Sequence, residues 1–595
     1  MPDTIMPAGQ QDVPSRLTTV TLDDKYTATT GNIFLSGIQA LVRLPMMQRV
    51  RDAAEGLNTA GFVSGYRGSP LGGLDENLWK AKKHLEAHHV QFVPGVNEDL
   101  AATAVWGSQQ VDLIGPAKYD GVFAMWYGKG PGVDRCGDVF KHMNHAGTSK
   151  HGGVLLVAGD DHGAYSSTLP HQSDHLFSAS MIPVLYPCNV QEYLDLGIHG
   201  WAMSRFSGCT VAFKALADTV ESSASIDADP FRVTVKIPQD FQMPEGGLNA
   251  RLSSIPLGQQ ARNQEALMQD YKIYAALAYA RENKLNHTTI DSPNAKLGII
   301  ASGKSYLDVL EALEDLGIDE KMAQDVGLRL FKVAMPWPLE PDSVREFAQG
   351  LDEILVVEEK RQIVEYQLKE QLYNWRDDVR PRVIGKFDEK GEWVAPRGEW
   401  LLTSKADFSV SQVARVIASR VSRLITDEKT CDLIRARLAF LDAKDAVLKK
   451  ANNTPFRPAF YCSGCPHNTS TKVPEGSLAL AGIGCHVMAT SIYPEMNKLT
   501  THMGGEGAPW IGQAAFSKIP HVFQNLGDGT YFHSGYLAIR AAVAANVNIT
   551  YKILYNDAVA MTGGQPVDGT TSVPLIAQQM AAEGIKRIAL VTEDL

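Results

Sequence analysis

The sequence is poor in cysteine and has no long apolar run. Seven cysteines occur in 595 residues, which fits a reducing cytosol better than a disulfide framework. No apolar run approaches the roughly 20 residues that a membrane-spanning helix needs. The net charge of -11 argues against a nucleic-acid-binding surface, because phosphate backbones attract clustered Lys and Arg. We therefore expect a cytoplasmic protein that binds neither nucleic acid nor membrane.

The amino terminus also lacks the features of a signal peptide. Residues 1–25 contain no apolar segment preceded by positive charge and are rich in Pro, Gln and Asp, which predicts a disordered tail. At roughly 100 to 200 residues per domain, the chain has room for three to five domains. Its hydrophobic content of 44% is enough for large cores.

Short buried-strand patterns alternate with helical patterns over residues 26–250. The predicted strands are 61–65, 120–127, 153–159, 183–187 and 210–216. Such alternation predicts a parallel sheet with helices on both faces. Residues 251–293 follow as a linker and a helix, the helix being predicted at 263–282.

A second alternating unit covers residues 294–405, and residues 406–455 form a charged helical linker. The second unit has predicted strands at 296–303, 327–334 and 353–357 and predicted helices at 305–316 and 341–349. Residues 456–595 form a third block, which ends on a predicted strand at 587–591 and so suggests a domain that is incomplete at its carboxyl end. The predicted fold class is α/β, multi-domain, with doubly wound parallel sheets.

The third block contains Gly527-Asp528-Gly529 after one strand pattern and Asn556 after the next. A single helix at 534–545 fits between them as the crossover of two parallel strands, whose carboxyl ends then lie side by side. Glycine allows the backbone to approach phosphate oxygens, and carboxylate and amide oxygens suit a small divalent cation. Asp528 and Asn556 are therefore predicted to share one metal ion that holds a diphosphate.

This arrangement resembles the diphosphate-binding motif of thiamine diphosphate enzymes. The resemblance implies that Asp528, Asn556 and the carbonyl of Ala558 hold Mg²⁺, between the backbone of Gly527 and Gly529 and the cofactor. Such enzymes also need a carboxylate from another α/β domain, which hydrogen-bonds to the aminopyrimidine ring. Glu98, which begins a helix pattern with small residues behind it, would supply that carboxylate.

The first block has three Gly-rich segments where strands end. They cover residues 65–73, 126–134 and 159–167. Carboxyl ends of parallel strands share one edge of a sheet, so these segments are expected to converge on one crevice. In the third block, the segment 504–510 could shape a cofactor loop in the same way.

A set of short motifs occurs in a specific order along the chain. The set comprises Tyr66-Arg-Gly-Ser69-Pro, Asn97-Glu98, Gly159-Asp-Asp with Ser166-Ser167, Cys462-Ser-Gly-Cys465-Pro-His, Gly482-Ile-Gly-Cys485, Gly527-Asp-Gly and Thr562-Gly-Gly-Gln565. Over residues 30–595 this set resembles the 2-oxoacid:ferredoxin oxidoreductases, and most of all their indolepyruvate branch. The resemblance implies a pyrimidine-binding domain, a transketolase C-terminal-like domain and a diphosphate-binding domain. It also implies that Ser69 touches the substrate carboxylate, and His162 is a further candidate for substrate contact.

Three of the cysteines are close together in the third block. Cys462, Cys465 and Cys485 would offer soft thiolates to an iron–sulfur cluster. Related enzymes complete a [4Fe-4S] cluster with a later cysteine, and no cysteine follows Cys485. A fourth ligand would come from absent sequence, a partner or a histidine. A zinc site using His467, His486 or His502, or unligated thiols lining the cofactor pocket, are the alternatives.

The resemblance implies oxidative decarboxylation of a 2-oxoacid, such as indolepyruvate or another aryl pyruvate, to an acyl-CoA. Electrons would pass to ferredoxin or a similar acceptor. The chain lacks the paired ferredoxin-like cysteine runs of the indolepyruvate branch, so a further gamma-type domain or subunit is an expected partner. A homodimer is expected because the two cofactor-binding domains must face each other. The alternatives are a non-redox thiamine diphosphate decarboxylase or carboligase, and an inert subunit that keeps the fold.

Overall fold

The computed structural model describes residues 20–251, 256–391, 400–425, 427–451, 458–567, 569 and 571–592. The chain divides into two compact units, Met1–Val93 with Glu98–Asn452 and Pro94–Asn97 with Asn453–Leu595. The predicted amino-terminal tail lies outside the described residues as far as residue 19. None of the helices in the described ranges combines the length and the apolar character that crossing a membrane requires.

The first unit begins with a six-stranded parallel sheet, called here the first sheet. In spatial order its strands are Val90–Phe92, Ala60–Gly65, Val122–Lys129, Val154–Asp160, Val211–Leu216 and Val184–Leu185. The surrounding helices are Gly37–Ala54, Leu74–Lys80, Lys82–Ala87, Glu98–Ser108, Val111–Ile114, Gly130–Arg135, Gly137–Ala146, Asp174–Ala179, Val190–Ser207 and Ala217–Val220. Short helix Asp24–Thr27 and the antiparallel strands Asn32–Ser36 and Ser223–Asp227 complete this part.

Helices cover both faces of the first sheet because its strand side chains alternate between two hydrophobic cores. Phe123 and Met125 belong to one core, and Ala124 and Trp126 belong to the other. All four side chains are essentially inaccessible to solvent. A strand that is buried on both faces reads as a continuous apolar run, which is what made these strands predictable.

A long connection leads to the second sheet of the same unit. It consists of helix Leu257–Leu267, a π-helical turn Met268–Lys272 and helix Ile273–Glu282. The predicted helix therefore exists, but it begins six residues earlier than predicted and contains a π-turn. The π-turn holds Lys272, whose buried ammonium donates to the carbonyls of Asn144 and His145 at 3.0 and 3.2 Å.

The second sheet has five strands, of which four are parallel. Their spatial order is Arg382–Ile384, Glu353–Val357, Leu297–Ser302, Leu328–Val333 and the antiparallel His287–Ile290. Its helices are Lys304–Asp315, Glu320–Val326, Pro341–Ala348, Val364–Leu372, Val410–Val421 and Glu428–Ala451. Ile299 and Ala301 pack into one core and Ile300 into the other, so this sheet too is covered on both faces.

The second unit is built on a four-stranded parallel sheet, called the third sheet. Its order is Asn497–Lys498, Ala479–Leu480, Val522–Gly527 and Ile549–Leu554. Its α-helices are His467–Ser470, Ala489–Ile492, Ala508–Gln513, Asp528–Thr530, Tyr536–Ala544 and Val573–Ala582. Shorter pieces are the 3₁₀ turns Cys485–Met488, Ala514–Phe516 and Ala560–Thr562, the π-turn Tyr531–Gly535 and the strand pair Ala558–Val559 with Gln565–Pro566.

The predicted α/β class with parallel sheets is confirmed, whereas one predicted strand is wrong. Residues 587–591 adopt no regular structure, and Ile588, Leu590 and Val591 are 48%, 69% and 92% exposed. Their alternating apolar pattern is typical of a strand, but a strand also needs a neighbouring strand to pair with. Within the residues that the structure describes, the third sheet ends at Ile549–Leu554. The predicted strand at 183–187 is reduced to Val184–Leu185.

Candidate functional site

The Gly-Asp-Gly motif lies at the carboxyl edge of the third sheet. Strand Val522–Gly527 ends at its first glycine and runs parallel to Ile549–Leu554, with Gly527 opposite Leu554. The two carboxyl ends therefore lie side by side, as predicted. One oxygen of the Asp528 carboxylate accepts the amide hydrogens of Asn556 and Asp557 at 2.9 and 2.6 Å. The structure thus brings Asp528 and the Asn556 turn together.

The turn after the second strand folds back so that two of its backbone amides donate to Asp528. The side-chain oxygen of Asn556 accepts the amide hydrogen of Ala558 at 3.2 Å, and Asp557 adopts a left-handed conformation with φ of 56°. Asp528 is 5% exposed, and its other oxygen accepts the amide of Gly529 at 2.9 Å. A carboxylate, a carboxamide and a carbonyl are hard oxygen donors of the kind that Mg²⁺ prefers, so this donor set fits a metal-bound diphosphate.

Sequence reasoning missed the role of Glu506, which fixes two loops beside the motif. Glu506 is fully buried, and its two oxygens accept the amides of Ile483 and Gly504 at 3.1 and 2.7 Å. Thr530 donates its hydroxyl to the carbonyl of Ile483 at 2.9 Å. Burial raises the pKa of Glu506, although the two amide hydrogen bonds oppose the rise. In the sequence, the run of glycines around Glu506 was the feature that indicated a functional loop.

His486 is enclosed by glycines of the same region. A Cβ atom on Gly482 would lie 3.0 Å from its Nε2 atom, and one on Gly527 would lie 3.4 Å from its Cε1 atom. The ring is 2% exposed. Burial, and then the charges of His467 and Lys552, lower the pKa of His486 to about 3. The imidazole is therefore neutral at physiological pH.

The three thiols of the second unit are near one another. Cys462 is exposed, and Cys465 and Cys485 are partly buried. Burial, and next the thiols of Cys465 and Cys462, raise the pKa of Cys485. Among the residues with described positions, no group of three or more His, Cys, Asp or Glu side chains is arranged to hold a metal ion. A cluster or a zinc ion at these cysteines therefore stays a prediction.

In the first unit, Glu98 lies in a recess that glycines make possible. It is the first residue of helix Glu98–Ser108 and is 7% exposed. Its carbonyl accepts the indole hydrogen of Trp126 at 2.9 Å. A Cβ atom on Gly132 would lie only 2.5 Å from the Cγ atom of Glu98. The Gly-rich segment at 126–134 therefore leaves the space that the Glu98 side chain occupies.

Ser69 lines a cavity of about 410 Å³ at the carboxyl edge of the first sheet. The lining also includes Asp161, Tyr165, Ser166, Asp218 and Glu221. Lys129 joins the three Gly-rich segments, because its ammonium donates to the carbonyl of Ser166 at 3.2 Å and its stem would meet a Cβ atom on Gly68 at 2.8 Å. The predicted convergence of the three strand ends is thus observed.

His162 follows Asp161 but is buried, with 4% exposure. Its Nδ1 atom lies 2.6 Å from the carboxylate of Glu359, which follows strand Glu353–Val357 of the second sheet. Burial alone would raise the pKa of Glu359, but the hydrogen bond and charge of His162 and the charge of Lys304 outweigh it and hold that pKa at about 2. In this structure His162 contacts a carboxylate of the protein, and substrate contact stays a prediction.

Two family models match parts of the chain. Residues 286–451 match the indolepyruvate ferredoxin oxidoreductase middle domain. Residues 482–587 match the C-terminal TPP-binding domain of thiamine pyrophosphate enzymes. The second match contains Asp528, Asn556 and Ala558, which are the residues predicted to hold the diphosphate.

Curated relatives align with most of the chain. The indolepyruvate oxidoreductase subunit IorA of Pyrococcus horikoshii is 25% identical over 94% of this chain and 81% of its own length. IorA of Methanothermobacter thermautotrophicus is 24% identical over 92% of this chain and 79% of its own length. IorA of Archaeoglobus fulgidus is 26% identical over 90% of this chain and 77% of its own length. These similarities confirm the resemblance predicted from the ordered motifs.

Solved structures give weaker similarities. A 2-oxoglutarate:ferredoxin oxidoreductase from Magnetococcus marinus, with 2-oxoglutarate, coenzyme A and succinyl-CoA bound, aligns with a TM-score of 0.47 and 15% identity over 66% of this chain and 65% of that one. A split-gene transketolase, described as an inactive beta4 tetramer, aligns with a TM-score of 0.38 and 11% identity over 66% and 99%. These TM-scores carry no argument about function.

Proposed function

We propose that this chain, a relative of the indolepyruvate branch of the 2-oxoacid:ferredoxin oxidoreductases, oxidatively decarboxylates a 2-oxoacid with the help of thiamine diphosphate. The substrate class is an aryl pyruvate such as indolepyruvate, the acyl group goes to coenzyme A, and the electrons go to ferredoxin or a similar acceptor. The observation that carries the proposal is the Asp528 carboxylate held against the Asn556 turn, inside the segment that matches a TPP-binding domain.

Asp528, Asn556 and the carbonyl of Ala558 would hold the Mg²⁺ that binds the diphosphate. Three backbone amides keep the Asp528 carboxylate in place, so it is oriented before the metal arrives. Gly527 and Gly529 leave the strand end bare, which allows close approach of phosphate oxygens. Glu506 and Thr530 position the neighbouring Ile483 segment.

Glu98 is the proposed proton-handling group. When bound, thiamine diphosphate supplies the acidic carbon that adds to the 2-oxo carbon and the electron sink for decarboxylation. The Glu98 carboxyl would hydrogen-bond to the aminopyrimidine ring and hold or release its proton there. Ser69 would donate its hydroxyl to the substrate carboxylate, because that side chain lines the cavity at the same sheet edge as the other Gly-rich segments.

The partners and the route of the electrons extend the proposal. A homodimer and a further gamma-type domain or subunit would complete the enzyme. An iron–sulfur cluster on Cys462, Cys465 and Cys485 stays a prediction, because the thiols do not present a metal-binding arrangement. We therefore propose that the further domain or subunit carries the electrons to ferredoxin. A cytoplasmic location also stays a prediction from the cysteine content.

Calorimetry with thiamine diphosphate and Mg²⁺ tests the cofactor site. We expect Asp528→Asn to weaken binding at least about tenfold, or about 1.4 kcal/mol, because an amide nitrogen would replace an oxygen that accepts amide hydrogens. Asp557→Asn is the matched control, since Asp557 is exposed and Asn tolerates its left-handed backbone. Thermal melting shows whether either variant is unfolded. Equal affinity of Asp528→Asn and the wild type would remove the basis of the proposal.

Turnover assays separate the reaction classes. The wild type, assayed as the native complex with its further domain or subunit, should reduce ferredoxin in the presence of an aryl 2-oxoacid and coenzyme A. Glu98→Gln in the same complex should lose this activity by a factor of about 100 or more. Release of carbon dioxide without reduction of ferredoxin would instead indicate a non-redox decarboxylase. Full activity of Glu98→Gln would refute its proposed role.

A further inference from the structure

The loop at residues 161–172, called here the cavity loop, forms part of the Ser69 cavity. It contributes Asp161, Tyr165 and Ser166 to the lining. The two oxygens of Asp161 accept the amides of Tyr165 and Ser166 at 2.9 and 2.7 Å. The shape of the cavity therefore depends on how this loop is held.

The second sheet and its helices contact the cavity loop at four points in the same unit. Glu359 bonds to the ring of His162, and the ammonium of Lys360 donates to the carbonyl of His162 at 3.2 Å. Asp407 accepts the hydroxyl of Tyr165 at 3.1 Å. At the end of the loop, Gln172 donates to the carbonyl of Arg361 at 2.8 Å and accepts the Arg361 amide at 2.9 Å.

The contact between His162 and Glu359 is buried, and a lysine further holds the Glu359 carboxylate. Their side chains are 3% and 2% exposed. Lys304 donates to the other oxygen of Glu359 at 3.1 Å and to Asp308 at 2.8 Å. The Nε2 atom of His162 is also buried, and none of the described residues hydrogen-bonds to it. The ring thus connects the loop to Glu359 through its Nδ1 atom, and removing one partner of a buried hydrogen bond is costly.

We propose that Glu359, Lys360 and Asp407 are positioning residues, through which the region matched to the middle domain sets the shape of the substrate cavity. This inference rests on the proposed function, since it takes the Ser69 cavity to hold the 2-oxoacid. The carboxyl ends of the second sheet do not touch substrate in this scheme. They act through the cavity loop, so changes in them alter the affinity for substrate more than the chemical step.

The first test compares Glu359→Gln with Glu389→Gln. Glu389 belongs to the same region, but it is exposed and pairs with Arg420 and Arg423, both at 2.9 Å. In Glu359→Gln we expect the amides of Tyr165 and Ser166 to exchange hydrogen at least about fivefold faster in the resting protein. We also expect KM for the 2-oxoacid to rise about tenfold while kcat and the affinity for thiamine diphosphate stay within about twofold. Glu389→Gln should match the wild type in each measurement.

The second test uses groups at the surface, where folding is not at risk. Tyr165→Phe and Asp407→Ala should each raise KM about threefold, and the double variant should equal either single variant, since both changes remove the same bond. The proposal would be overturned if Glu359→Gln kept the wild-type rate of amide exchange and the wild-type KM. It would also be overturned if the two surface changes raised KM additively in the double variant. If the wild type turns over no 2-oxoacid, the proposed function fails, and the exchange measurement still decides whether Glu359 holds the loop.

Discussion

Glycines determine where the side chains of Glu98 and His486 can lie. Gly132 leaves the space that Glu98 fills, and Gly482, Gly484 and Gly527 surround the ring of His486. In each case a methyl group would meet a neighbouring side chain within 3.4 Å. The glycines of the sequence motifs therefore act by their small size at the site, beyond any effect on turns.

Gly132→Ala should displace Glu98. The new Cβ atom would lie 2.5 Å from Cγ of Glu98, and overpacking of this kind costs about 1 to 3 kcal/mol. We expect lower stability in chemical denaturation and a loss of turnover comparable to that of Glu98→Gln. Gly107→Ala, in the helix that Glu98 begins, is the control. Among the described residues, no side chain or distant backbone atom lies within 4 Å of its Cβ position, and Ala favours a helix. Equal stability of the two variants would show that the recess is wider than described.

The residues at the candidate site were predictable only where their partners are local. Asp528 and Asn556 follow two adjacent strands, and Glu98 begins a helix, so motif and position identify them. Glu359 contacts His162 across 197 positions of sequence, and no local pattern indicates that pairing. Glu506 was visible only as part of a glycine-rich turn, and its role depends on the distant amide of Ile483.

Strands and helices followed the sequence well where they are buried on both sides. Glu353–Val357 has the predicted bounds, and Leu297–Ser302 differs from its prediction by one residue at each end. The failure at 587–591 has the opposite cause, since that segment has the apolar pattern without a pairing strand. An apolar pattern in the sequence indicates that a segment tends to be buried. Whether the segment pairs with a distant strand depends on the rest of the fold.

His162 follows strand Val154–Asp160 and Glu359 follows strand Glu353–Val357. The contact between them should make the free energy of unfolding depend on pH. The pKa of Glu359 is held at about 2, below its ordinary 4.5, so its contribution is complete above about pH 4.5 and is lost as the pH falls toward 2. The neighbouring Asp308, whose pKa burial raises to about 6, is protonated before this range. The greatest possible contribution of Glu359 is about 3 kcal/mol.

Melting temperatures of the wild type and Glu359→Gln between pH 6 and pH 2.5 test this pH dependence of stability. The wild type should be more stable at pH 6, and the difference should shrink as the pH falls below about 4.5. Glu346→Gln, at an exposed position of helix Pro341–Ala348, should give a curve parallel to that of the wild type. A constant difference between the wild type and Glu359→Gln would contradict the lowered pKa of Glu359.

The seven cysteines differ in accessibility, and Cys431 of the first unit is partly accessible. Cys136, Cys188 and Cys209 are buried in the first unit, and burial raises the pKa of each thiol. Cys462 is exposed in the second unit, and Cys465 and Cys485 are partly accessible. The sequence predicted a reduced protein from the cysteine count, but it could not predict which thiols are accessible, because exposure depends on packing between distant segments.

Alkylation of the native protein should therefore label Cys462 first and leave Cys136, Cys188 and Cys209 unlabelled, because only accessible thiolates react. Mass spectrometry of peptides measures the order, and protein unfolded in guanidinium is the control in which all seven should react. Rapid labelling of the three buried thiols would contradict their packing. Joint protection of Cys462, Cys465 and Cys485 in anaerobically prepared protein, lost on adding a chelator, would restore the cluster hypothesis.

The reciprocal bonds between Gln172 and Arg361 also bear on protein engineering. A chimera could take residues 286–451 from one relative and the remainder from another. Its cavity loop would then meet contact residues that come from a different protein. Such a graft should fold yet handle its substrate poorly until residues 161–172 are transplanted with it. Residues 161–172 and 286–451 should therefore be exchanged together, even though nearly two hundred positions separate Gln172 from Arg361 in the chain.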